Sequence, residues 1–322
     1  MALKPINYRK YPDYSPDYGW DRPDRKDPHS IKEVVYGPMA KEYQNKPVEL
    51  PAGGMETGYP FLDRLFNFWT KGGMLVVATD SEISSSPLAT NWLTGLTLFQ
   101  DITVGFVSFH LTQESFSDRM ALNCTAFLQK NGAGNKHPQA AYLRGLDQLR
   151  RNSICLLKPN KGDMAILMDD IWRQVESWVE QHRIKALVID GVENIREKKE
   201  RVDGDDLAVV IPKLKELSEK WHIPVLATSN ANQGKDISCY LALDDYFANL
   251  PTVLQNVPDA VGFLSHKRSD VKLPPEQVNL GYRYFYGLGL WATTSFLGLD
   301  YVFSDMLGDF VELGIDVGKM KP

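Results

Sequence analysis

No apolar run in the 322-residue sequence reaches the roughly 20 residues that a bilayer-spanning helix needs, so no membrane association is expected. The first residues, MALKPINYRKYPDY, lack the apolar core of a secretory leader, which leaves a cytoplasmic location as the expectation. Cysteine is scarce. Cys124, Cys155 and Cys239 are odd in number and far apart, which argues against a disulfide framework or a zinc site and for buried thiols in a reducing compartment. The six histidines are equally scattered, and no metal-ligand spacing is present. Excess positive charge is missing too: the formal net charge is −5, so any contact with nucleic acid has to come from a local basic patch. What remains is ordinary for a globular chain, with 43% hydrophobic and 24% charged residues.

Four regions follow from patterning. Residues 1–29 carry prolines at 5, 12, 16, 23 and 28, which forbid a continuous helix. Tyr8, Tyr11, Tyr14, Tyr18 and Trp20 are many aromatics for a solvated tail, so this segment reads as an extended arm that docks on a surface. Residues 30–58 read as a linker helix and turn. Ser30 with Glu33 makes a capping-box pattern, and Ile31, Val34, Val35, Met39 and Tyr43 fall near one helical face, broken at Gly37-Pro38. Residues 59–300 read as the core domain, and 301–322 as an acidic tail.

Within the core, short β-branched runs alternate with amphipathic stretches. The runs are MLVVAT, TVGFVSF, SICLL, KALVID, IPVLATS and DAVGFLS; the helical stretches are 87–100, 114–129, 138–150, 164–182 and 206–221. That rhythm predicts an α/β fold with a mostly parallel sheet covered on both faces. QVNLGYRYFYGLGLWATTSFLG has no helical period and reads as one or two antiparallel strand pairs at a sheet edge. One joint stands out, GGMLVVATDSEISSSPLATNW. It has the strand–loop–helix frame of a phosphate-binding site, yet its loop carries Asp80, Glu82 and the serines 84–86 where such a loop needs glycines and a lysine. SSSP is also a good helix start, with Ser86 as cap and Pro87 in the first turn.

The order and spacing of METGYPFLDRLFNFWTKGGMLVVAT, VGFVSFHLTQESFSDRM, WVEQHRIKALVIDGVENI and LKELSEKWHIPVLATSNANQ resemble the RecA-like motor domain of DnaB-type hexameric replicative helicases. The resemblance spans about residues 30–298 and implies a RecA-like P-loop NTPase fold. It places the phosphate loop's Gly-Lys-Thr/Ser on Ser84, Ser85 and Ser86, so that only the magnesium-binding hydroxyl, on Ser86, survives. It implies that the catalytic glutamate is replaced by Thr112, with Glu114 two residues on. Asp190 matches the magnesium-linked acid, with a turn-capping carboxylate as the structural reading and Glu193 as the nearby acid that could support it. Ser229-Asn230 stands where the family has a Ser-Gln sensor pair, and Arg283 matches the arginine inserted into a neighbour's site, although Gly281 replaces its lysine partner. The family's channel loop falls on Arg196, Lys198, Lys199 and Arg201, interleaved with glutamates; Arg144, Arg150 and Arg151 form a second basic group.

These correspondences imply a pseudo-ATPase that needs no cofactor and acts as an assembly or DNA-binding component in replication, recombination or genome handling. Its DNA binding would be weak and sequence-independent. It would dock on itself or on an active helicase-like protein through residues 8–43. Two other readings stay open: an active ATP- and magnesium-dependent helicase with an aberrant loop, and a scaffold that reuses the fold without nucleic acid.

Overall fold

The computed structural model describes residues 72–80, 86–100, 102–109, 154–160, 163–198, 206–232, 250–267, 282–292, 295–304 and 309–316, with a few positions between 116 and 123. The chain begins with β1 (Met74–Asp80), α1 (Ser86–Gln100), β2 (Val104–Ser108) and β3 (Ile154–Leu157). A two-residue strand β4 (Ile166–Leu167) runs into α2 (Met168–His182), followed by β5 (Ala186–Asp190), a 3-10 turn (Val192–Asn194) and β6 (Ile195–Arg196). Then come α3 (Asp206–Trp221), β7 (Val225–Asn232), a short α4 (Thr252–Asn256) and β8 (Ala260–Lys267). Three long strands close the fold: β9 (Tyr282–Ala292), β10 (Ser295–Ser304) and β11 (Asp309–Asp316).

Nine strands form one sheet in the order β11-β10-β9-β8-β1-β7-β5-β2-β3. The pairs from β8 to β3 are parallel, and those from β8 to β11 antiparallel. This is a RecA-like α/β fold. The parallel strands read as unbroken apolar runs because helices cover both of their faces. Met74, Val76 and Ala78 of β1 join one apolar cluster with α2, α3 and α4, through Ile171, Val175, Leu214, Leu217 and Leu254. Leu75 and Val77 alternate to the opposite face and are equally buried. Helix α1, with Trp92, Leu93 and Leu96 buried, packs against β2, β5 and β7.

The strands of the parallel half and the helices expected at 87–100 and 206–221 match the sequence reading to within about three residues, while the helices expected at 114–129 and 138–150 lie largely or wholly outside the described residues. Three expectations are corrected. The helix expected from residue 164 starts at Met168, because Ile166 and Leu167 pair in parallel with Ile195 and Arg196 as a separate two-stranded sheet. Ser86 is the first helical residue of α1 rather than its cap. The expected acidic tail from 301 is in part sheet: β10 runs to Ser304, and β11 pairs with it along most of its length. Asp309, Glu312 and Asp316 disguise DFVELGID, whose Phe310, Val311, Leu313 and Ile315 are good strand formers. Residues 1–58, with the arm and linker helix, lie outside the described residues.

Candidate functional site

The parallel topology brings the carboxyl ends of β1, β2, β5 and β7 to one edge, the side on which open α/β sheets bind ligands. Asp190 ends β5 there and has no exposed surface. Burying a carboxylate is unfavourable unless it is hydrogen-bonded, and this one gathers hydroxyls from three other segments. Ser86 Oγ, at the start of α1, donates to Oδ2 at 2.6 Å. Ser108 Oγ, at the end of β2, donates to the same oxygen at 3.2 Å. Thr228 Oγ1, on β7, donates to Oδ1 at 3.4 Å and accepts the Gly191 N–H at 3.1 Å. Gly191 turns the chain out of β5 at φ 98°, a conformation open chiefly to glycine.

A second layer joins β1 to β7. Thr79 Oγ1 donates to the Ser229 carbonyl at 3.4 Å and also bonds Asn230 Oδ1. The Asn230 N–H donates to Glu193 Oε2 at 3.1 Å. The Asn230 amide oxygen is therefore tied to β1, and Glu193 clamps β7 to the turn after β5. Ser229 Oγ is buried and meets no hydrogen-bond partner.

Sequence reasoning missed Arg119, which the fold places close enough to feel the charge of Asp190. Burial pushes its guanidinium below the usual value, and Asp190 pulls it partly back. Its Nη1 is buried without a hydrogen-bond partner. Next in the chain, Met120 receives the Thr94 hydroxyl of α1 on its sulfur at 3.5 Å, and Asn123 Nδ2 donates to Thr94 Oγ1 at 3.4 Å. These contacts seat the segment after β2 against α1. No local motif marks Arg119, whose meaning depends on strand order.

Of the residues singled out from sequence, Ser86 and Asp190 meet directly, and Glu193 and Asn230 meet each other. Arg283 lies on β9, two strands from β1, and only its backbone is described. Arg196 is committed at the start of α3: its Nη1 donates to Asp206 Oδ2 at 3.0 Å and to the Glu193 carbonyl at 3.3 Å. Lys198 is exposed. Ser84, Ser85, Thr112, Glu114, Lys199, Arg201, Arg144, Arg150 and Arg151 lie outside the described residues.

A hydroxyl and a carboxylate 2.6 Å apart are a donor set suited to a hard divalent cation. The Asn230 side chain is held by Thr79.

The family model of the DnaB-like helicase C-terminal domain matches residues 54–237, more than half of the chain. The chain belongs to that family. Solved structures agree on the fold. A DnaB-like replicative helicase, determined together with its interactions with primase, superposes with a TM-score of 0.59 at 13% identity, over 80% of this chain and 61% of that one. A second structure, the ATPase domain of another protein, gives 0.61 at 14% identity, over 85% and 95%. A KaiC-like protein from the hyperthermophilic archaeon Pyrococcus horikoshii gives 0.50 at 13%, over 83% and 99%. This chain therefore spans less than two thirds of the first helicase. No curated protein matches the sequence. Among the described residues, no helix is long and apolar enough to cross a membrane.

Proposed function

We propose that this DnaB-like domain is a pseudo-ATPase, an assembly or DNA-binding component of replication, recombination or genome handling that does not turn over ATP. The observation that carries the reading is Ser85 in the lysine position, directly before a serine whose hydroxyl is bonded to Asp190. The frame is kept, while the cation that neutralises the phosphates is gone. Asp190 then works as a structural post: its oxygens tie α1, β2 and β7 to β5. Asp80 and Glu82 add negative charge to the same stretch of sequence, which opposes a triphosphate further.

Phosphate release by the purified chain tests this. We expect no turnover above background in the wild type, and none in Ser85→Lys, because Thr112 supplies no carboxylate to activate water. Full activity in that single variant would overturn the assignment of the missing base.

One observation favours a second reading, an active ATPase with an aberrant loop. Ser86 and Asp190 still stand as a divalent cation would need them, with the orphaned Arg119 Nη1 nearby as a source of positive charge. Turnover in the wild type would select it.

A further inference from the structure

Beyond the carboxyl end of β3, the outer strand on that side of the sheet, lies a cleft of about 750 Å³. Pairing of β4 with β6 builds it, by drawing the residues after β3 and the first turns of α2 against the chain that follows the 3-10 turn. Its lining is mixed: Lys158, Arg173, Arg196 and Lys198 stand with two carboxylates, Asp163 and Asp170. Met164 lines it too, and at 86% exposure is the one large apolar side chain left in solvent among the described residues. The Asp163 N–H donates to the Asn160 carbonyl at 2.9 Å, which ties the chain just before Met164 back on itself.

That mixture defines what fits. Lys158 and Lys198 make no ion pair among the described residues. Arg173 is paired with Asp170, and Arg196 with Asp206 at 3.0 Å, yet a guanidinium has five N–H donors and each keeps some to offer. These four groups call for anionic acceptors. Asp163 and Asp170 call for the opposite, a hydroxyl that donates, and they repel a chain that is anionic throughout. An exposed methionine suits an aromatic ring, whose face also takes a guanidinium. A peptide that alternates aspartate with tyrosine supplies carboxylates, phenol hydroxyls and rings together.

The chain carries such a peptide. Residues 11–21, YPDYSPDYGWD, hold Asp13, Asp17 and Asp21 with no cation, and repeat Pro-Asp-Tyr four residues apart. Pro12 and Pro16 restrict the backbone, so less freedom is lost on docking. The segment lies outside the match to the family model, which begins at residue 54.

We propose that the cleft receives residues 11–21 of a second copy of this chain, with Asp13 and Asp17 on Lys158 and Lys198 and the tyrosines against Met164. The proposal rests on the reading of this chain as an assembly component, and it names the surface on which the aromatic arm docks.

Photo-crosslinking of the full chain, with Tyr14→p-benzoylphenylalanine, tests it alongside light scattering. The expected product is a covalent dimer whose cross-link, mapped by mass spectrometry, falls on Met164 or on α2. Lys158→Glu with Lys198→Glu should cut the yield several-fold. Adding Asp13→Lys and Asp17→Lys should restore it, which a misfolded cleft would not allow. Failure of that rescue in a chain that is folded and assembled overturns the charge pairing. A dimer cross-linked elsewhere, or an assembled chain with no cross-link, overturns the cleft as the seat while assembly stands. A cross-link to the cleft within one chain overturns the second copy as the occupant. A chain that scatters light as a monomer and yields no covalent dimer removes the proposal and self-association together.

Discussion

Asp190 is fully buried, and its neighbours explain how that is tolerated. Three hydroxyls from three segments hydrogen-bond to it, and these contacts tie α1, β2 and β7 to β5. The contact from Ser86 is the shortest of them. Ser86→Ala should cost about 1–3 kcal/mol, because it leaves a buried charged acceptor short of a donor. Urea denaturation of wild type and variant measures this. An unchanged midpoint would mean that the hydroxyl serves a ligand and not the fold. Ser86 and Asp190 were legible in the sequence because each sits at a fixed place in a strand–loop–helix frame. Ser108, Thr228 and Arg119 were not. Nothing local marks them, and Ser108 and Thr228 reach Asp190 only because β2 and β7 flank β5 in the sheet.

At the scale of elements, legibility followed how local the cause is. Helix α3 was expected at 206–221 and spans Asp206–Trp221, tolerating Pro212 because Val210, Ile211, Leu214 and Leu217 bury a strong apolar face. The start of α2 was misread because no side chain caps it at Leu167, and a distant strand decides where the helix begins. Its end is local: Arg183 adopts φ 54°, and the N–H groups of Arg183 and Ile184 return to Val179 and Trp178. The entry to β1 is equally constrained. Gly72 has φ +80°, and a Cβ there would stand 2.2 Å from the Ser218 carbonyl oxygen of α3. Gly72→Ala should therefore destabilise by roughly 1–3 kcal/mol through strain and forced separation of α3 from β1. Thermal melting reads the change, and a melting temperature equal to wild type would show that this joint relaxes freely.

For the whole molecule, the family and the RecA-like sheet were both legible, because the order and spacing of several segments carry them where each segment alone is a weak signal. The share of β9–β11 was underestimated, since strand pairing at an edge depends on partners and not on composition. Assembly belongs to this scale. The stripe of Ile31, Val34, Val35, Met39 and Tyr43 and the aromatic arm before it are too short and too broken to hold a helix alone. We expect them to bury themselves on a second copy or on a helicase-like partner, each apolar side chain contributing about 1.5–3 kcal/mol before ordering costs. Deleting residues 1–47 should leave a folded chain of lower assembled mass by light scattering. A full-length protein that is already monomeric at high concentration, with no helicase-like partner, would remove the idea.

The central claim is that a motor-domain frame persists here without its nucleotide chemistry. Titration calorimetry of the full chain with magnesium and ATP tests it most directly. The account predicts no heat of binding until ATP far exceeds the micromolar range, and no phosphate released during the titration. A low-micromolar dissociation constant accompanied by turnover would contradict it.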